Sequence, residues 1–98
     1  LPPFVPTIKA TKPTKRFERE LKGLPPDILK AAKAAIEDLY KVPVPTSRRL
    51  HCVDYSSNPK VYTIDVFSNH SYKISLEIDG TQATLRRVAT HKEIDRSP

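Results

Sequence analysis

The sequence predicts an α+β fold in which a helical hairpin packs on one face of a small twisted antiparallel sheet. Three observations carry that prediction. An apolar stripe with helical spacing runs from Ile28 to Leu39, runs of alternating apolar residues fill positions 61–90, and the connections between those runs are too short for parallel crossovers. The 98 residues make a single domain (1–98), with roughly 60–70% of the extended chain's surface buried on folding. It divides into an N-terminal edge strand or extended segment (1–13), the helical hairpin (14–41) and an antiparallel meander (50–91).

Residues 1–13 hold four of the ten prolines, so the short strand expected at Phe4–Lys9 can lie only at a sheet edge, where a missing backbone donor is tolerated. Thr14 then serves as an N-cap, and Phe17, Leu21 and Leu24 recur along one face of a short helix that stops at Gly23. The second helix opens on Pro25-Pro26-Asp27, with prolines in the first turn and an acid at the positive end of the helix dipole. Its stripe is Ile28, Ala32, Ala35, Ile36 and Leu39, and Val42-Pro43-Val44-Pro45 ends it. Leu50–Val53 reads as a strand or an approach to one. Three strands follow, Val61–Phe67, Tyr72–Ile78 and Ala83–Thr90, joined by Ser68–Ser71 and Asp79–Gln82, both with hairpin turn chemistry.

Alternation assigns the faces of these strands. Tyr62, Ile64 and Val66 share one face with Tyr72, Ile74, Leu76 and Ile78, and meet the helices. The opposite face carries Thr63, Asp65, Lys73, Ser75 and Glu77 and is expected to be polar and open to water. Parity breaks in the last strand, where Leu85 alternates with Arg87 but Val88 with Arg86, so a bulge is expected between them.

The core has no Trp or Met to draw on and must be built from Leu, Ile, Val, Ala, four Tyr and three Phe. A single cysteine, Cys52, can form no internal disulfide and reads as a small hydrophobe in a chain from a reducing compartment. No apolar run approaches the roughly 20 residues that span a bilayer, so the expectation is a cytoplasmic protein without a membrane partner. The net charge of +6 falls entirely in the first half: residues 1–49 carry eleven basic and five acidic side chains, and residues 50–98 six of each. Such a balance suits a polyanion or an acidic protein segment, and serves solubility equally well.

Two stretches resemble the RelE/ParE superfamily of toxins from bacterial toxin–antitoxin pairs. Asn69-His70-Ser71-Tyr72-Lys73-Ile74 is similar to that family's Asn-x-Tyr-Arg-Leu strand opening, with one extra residue. Val88-Ala89-Thr90-His91-Lys92-Glu93-Ile94-Asp95 is similar to the Val-Gly-Thr-His-x-x-Tyr-Asp ending of its HigB-like branch. The order of strand, helical hairpin and meander is also the family's. The resemblance implies a RelE/ParE-like fold and an mRNA interferase, a small ribonuclease that cuts messages on the ribosome and is silenced by a cognate antitoxin. The chain departs from the pattern at Thr63 and Asp65, where RelE has lysines, and at Ile94, where the HigB-like ending has tyrosine.

RNA can be cut without a metal when a 2′-hydroxyl is aligned on its neighbouring phosphorus, a base and an acid move the protons, and cations stabilise the phosphorane. Histidine suits the proton transfers and Lys and Arg the charge. The candidate catalytic residues are therefore His91 for acid–base work with Lys73 and Arg87 on the phosphate, and the candidate RNA contacts are Lys60, His70, Arg86 and Lys92. The structural alternatives are a surface histidine at 91, a plain turn residue at 70, and Arg86-Arg87 straddling an edge strand. No cofactor is expected, since there is no Gly-rich phosphate loop, and no metal, since ligand spacing is lacking. The expected partners are the antitoxin, mRNA and ribosomal RNA. Two other functions stay open: a ParE-like toxin that inhibits DNA gyrase, and a decayed member that only binds RNA or protein.

Overall fold

A computed structural model describes residues 6–54, 56 and 58–98. In chain order the elements are β1 (Ala10–Pro13), α1 (Lys15–Lys22), α2 (Pro26–Asp38), a 3-10 turn (Thr46–Arg48), β2 (His51–Asp54), β3 (Val61–Asp65), β4 (Tyr72–Asp79), β5 (Gln82–Thr90) and α3 (His91–Arg96). One five-stranded sheet has the order β1-β5-β4-β3-β2. Strands β2 to β5 are antiparallel neighbours, as the short connections require.

The first strand is a correction to both position and direction. It lies at Ala10–Pro13, and Phe4 and Val5 of the expected strand fall outside the described residues. It runs parallel to β5, Ala10 against Gln82 through Pro13 against Leu85, so the sheet is mixed. An edge position suits a strand that ends on proline, and the chain between β1 and β5, some seventy residues including both hairpin helices, is ample for a parallel crossover.

Thr14 caps α1 as its residue type predicts: its hydroxyl accepts the Phe17 N–H at 3.1 Å and donates to the Arg86 carbonyl at 3.1 Å. One side chain thus fixes the start of a helix and its seat on β5. Gly23 ends α1 at φ −81°, within the range of any residue. Gly80 is different, standing at φ 62° in the two-residue turn between Asp79 and Gln82. In α2, Ala32, Ala35 and the C-cap residue Leu39 are fully buried, and together with Phe17 they close over Ile64, Ile74, Leu76, Leu85 and Val88. Regular helix stops at Asp38, before the proline-rich run, where Asp38 takes ion pairs from Lys41 and Arg48, each at 2.9 Å. These hydrogen bonds, Lys41's first and Arg48's second, hold its carboxyl below the ordinary range.

The expected bulge is present. Ser75 pairs with Arg87 and Leu76 with Leu85, which leaves Arg86 as the extra residue. Val88 consequently stays in the core beside Ile74, while Arg87 and Ala89 turn to the face that carries Ser75 and Lys73. That face is not open to water. Thr63, Asp65, Ser75, Lys73 and Arg87 are all buried, Lys73 at 5% exposure and Asp65 at 1%. The short helix α3, which no periodic pattern announces, folds back against β4 and β5 with Ile94 buried beneath it.

Candidate active site

The site is built where β5 ends. Thr90, its last residue, caps α3: its hydroxyl accepts the Glu93 N–H at 3.4 Å and lies 2.9 Å from the Glu93 carboxylate. The cap sets His91 at the first helical position, and its N–H donates to the Ser71 carbonyl at 2.9 Å. One turn later comes Asp95, on the same side of α3. His91 Nε2 is 2.7 Å from Asp95 Oδ2, and Asp95 Oδ1 is 3.8 Å from Lys73 Nζ. On its other side His91 Nδ1 faces the His70 carbonyl at 3.1 Å. His91 and Lys73 are therefore brought to one carboxylate, from a helix and from the strand β4. The imidazole and the carboxylate are about half exposed, whereas the lysine is sunk behind them.

A second cluster adjoins this one. Asp65, in register with Lys73, points its Oδ2 at Nδ1 of His70, and the Arg49 guanidinium stands 3.3 Å from Nε2 of that ring and 3.7 Å from the same carboxylate oxygen. Arg49 and His70 both hold left-handed backbone, φ 50° and 63°, a conformation uncommon for residues with a side chain. Arg48, beside them, braces the end of β3 by donating to the carbonyls of Asp65 and Val66 at 3.3 and 2.9 Å. Asp65 Oδ1 and the hydroxyls of Thr63 and Ser75 are buried without a hydrogen-bond partner.

The other sequence candidates are placed differently. Arg87 is buried and committed: Glu20 of α1 receives its Nη2 at 2.8 Å and its Nε at 3.2 and 3.3 Å, while the Ser97 carbonyl receives its Nη1 at 2.8 Å. The Glu20 hydrogen bonds hold the guanidinium's proton more tightly than usual, against the opposing cost of burial. Arg86, the bulge residue, is paired with Glu77. Lys92 is exposed on the first turn of α3. Lys60 lines a groove beside β2 together with Arg49, His51, Cys52 and Tyr62.

Asp95, Asp65, Arg49 and Glu20 carry much of this geometry and were not among the sequence candidates. One signal was available: Thr90-x-x-Glu93 is a capping box, and it would have put His91 and Asp95 on one face of a helix. For Asp65 there was none, because a buried acid and an exposed acid alternate identically along a strand.

No protein-family model and no curated protein matches the chain. Solved structures do. The RelE chain of the RelB–RelE antitoxin–toxin complex from Methanococcus jannaschii is similar over 89% of this chain and 99% of its own, with 28% identity and a TM-score of 0.58. The fold is that of the RelE-type toxins. The archaeal RelE–RelB complex from Pyrococcus horikoshii gives a TM-score of 0.67 at 12% identity, over 87% of this chain and 96% of that one. YafQ from Escherichia coli gives 0.63 at 12% identity, over 86% and 94%. On this RelE-type fold, the cluster of His91, Asp95 and Lys73 occupies the junction of β4, β5 and α3.

Proposed function

We propose that the chain is the toxin of a toxin–antitoxin pair, nearest the HigB-like branch, and that it acts as an mRNA interferase. It cuts messages on the ribosome by driving a 2′-hydroxyl onto its neighbouring phosphorus. The observation that carries this reading is the single carboxylate, Asp95, that gathers His91 and Lys73 at the end of a RelE-type sheet. A half-exposed imidazole moves a proton, and the ammonium that faces the same carboxylate stabilises the charge that grows on the phosphoryl oxygens. Burial sharpens the lysine's contribution, since a charge held in low dielectric acts more strongly than one in water. Arg87 does not grip phosphate in this reading. It ties α1 to β5 and to the chain after α3, and so supports the platform on which Lys73 and His91 stand. Lys60 and Lys92 contact the RNA. The partner is an antitoxin with an acidic segment, for which the basic first half supplies the attraction; RelE-type neighbours are seen in complexes with RelB and DinJ antitoxins.

The test is cleavage of a message on purified ribosomes by the wild-type chain and by His91→Ala and Lys73→Ala. Each variant is expected to lose about 10²–10⁴-fold in rate, the usual contribution of a positioned proton-transfer group or charge. Cleavage that persists at full rate in both removes the site. Failure of DNA supercoiling with messages left intact would replace this reading with that of a gyrase-directed toxin.

A further inference from the structure

The two ring nitrogens of His91 face a carbonyl and a carboxylate, both of which only accept hydrogen bonds. Both contacts are made only when each nitrogen carries a proton. Such a ring has a proton to give and no lone pair with which to take one. Cleavage through a 2′-hydroxyl also needs a base, and that base has to lie elsewhere in the cluster.

His70 has the complementary arrangement. Its Nδ1 meets the Asp65 carboxylate, an acceptor, and its Nε2 meets an Arg49 N–H, a donor. The tautomer that satisfies both carries its proton on Nδ1 and a lone pair on Nε2. A buried carboxylate behind an imidazole fixes its orientation and stabilises the cation that forms when the ring takes a proton. Asp65 is 1% exposed and the His70 side chain 39%, so the carboxylate is shielded while the ring is reachable. The His70 backbone carbonyl receives Nδ1 of His91, which ties the two residues together. Two non-glycine residues in left-handed backbone, Arg49 and His70, converge on this one carboxylate, and local strain of that kind is concentrated at functional positions.

We propose that His70 is the general base of the site, oriented by Asp65, with His91 as the general acid and Arg49 as a phosphate-binding cation. The proposal rests on the reading of the chain as a metal-independent ribonuclease. In the step, Nε2 of His70 takes the 2′-hydroxyl proton, and the 2′-oxygen bonds to phosphorus. The bond from phosphorus to the 5′-oxygen breaks, and that oxygen leaves with the proton from Nε2 of His91. The products are a 2′,3′-cyclic phosphate and a 5′-hydroxyl, with His70 protonated and His91 neutral until they exchange protons with water. Arg49, half exposed, releases Nε2 and turns its guanidinium to the phosphate as RNA enters.

The experiment maps the cut in a ribosome-bound message, then compares single-turnover cleavage of that message with its variant carrying sulfur in place of the 5′-oxygen. Sulfur leaves without an acid. His70→Asn is the variant of choice, because Asn tolerates the left-handed backbone; circular dichroism monitors its fold. On the oxygen substrate His70→Asn and His91→Ala should each lose about 10²–10⁴-fold. On the sulfur substrate His91→Ala should recover to within about tenfold of wild type while His70→Asn stays slow. Recovery of His70→Asn on sulfur would show that His70 acts only through His91 and would overturn the proposal. So would an unchanged rate in His70→Asn, or a loss that falls on His51→Asn instead, with the ribonuclease reading intact in both cases. A wild-type chain that cuts neither substrate sinks the ribonuclease reading, and this proposal with it. Nitrogen-15 NMR of the free protein gives a check independent of activity: the neutral His70 ring should carry its proton on Nδ1, and a neutral ring protonated at Nε2 would overturn the assignment.

Discussion

Removing the Glu20 carboxylate isolates what Arg87 does. In Glu20→Ala the buried guanidinium loses contacts at 2.8, 3.2 and 3.3 Å and keeps the Ser97 carbonyl, with Glu93 no nearer than 4.0 Å. Hydrogen bonds to charged groups contribute about 1.5–3 kcal/mol, and breaking a buried ion pair from one side costs about 3–5 kcal/mol. Glu20 is 22% exposed, so water recovers part of the loss and a destabilisation of about 2–3 kcal/mol is expected. For a domain of this size each kcal/mol moves the thermal midpoint by about 4–8 °C, so Tm should fall by roughly 10–20 °C. The assay is thermal unfolding by circular dichroism, with Arg87→Ala and the double variant completing a cycle. The double variant should lose less than the sum of the single ones, since the two side chains share one interaction. RNA cleavage per folded molecule should be unchanged in Glu20→Ala. A Tm within about 2 °C of wild type would refute the clamp, and loss of cleavage in a stably folded Arg87→Ala would return Arg87 to the phosphate.

Three further outcomes follow from the packing. Asp38 is held below its ordinary value by Lys41 and Arg48, so the stability it contributes is complete above pH about 3.8, the ordinary carboxylate value, and is lost as the pH falls through its depressed folded value. Urea midpoints measured from pH 6 downward should show this acid loss, and Asp38→Asn should flatten it. Thr14→Ala removes both the cap of α1 and the hydrogen bond to the bulge, and should cost about 1–2 kcal/mol in urea unfolding. Thr63→Val replaces a buried hydroxyl that has no partner by a group of the same shape, and should raise stability by about 1 kcal/mol in the same assay.

The sequence was informative wherever local rules acted alone. The two hairpin helices, the Thr14 cap, the antiparallel meander and the bulge at Arg86 all follow from spacing, capping and parity. Position and direction of β1 did not, because four prolines near the chain start permit an edge strand at more than one place, and its parallel partner is fixed by tertiary contact. The polar face misled for a related reason. Alternation reports which residues share a face, not whether that face is covered, and Thr63, Asp65, Ser75, Lys73 and Arg87 are all buried. Of the site, His91 and Lys73 were visible as residues, but the carboxylate that joins them needed α3, whose six residues are too few to show a period. Arg49 was hidden more deeply and His70 was visible only as a candidate RNA contact, since a left-handed arginine or histidine has no signature in a single sequence.

The parallel pairing of β1 with β5 also bears on the order in which the chain can fold. Thr14 and Arg86, which hydrogen-bond across that junction, are separated by 72 positions. Closing an unstructured loop of that length costs about 4 kcal/mol of chain entropy before any contact is gained. Once the meander from β3 to β5 has formed and α2 has settled on it, most of that length is already ordered, and docking β1 requires little more. Nucleation is therefore expected in the β3–β5 hairpins, where contacts are local, with β1 and the Glu20–Arg87 clamp added late. During synthesis residues 10–13 have no strand to pair with until residues 82–85 are free to receive them. The early proline-rich segment is thus the last piece of the sheet to find its place.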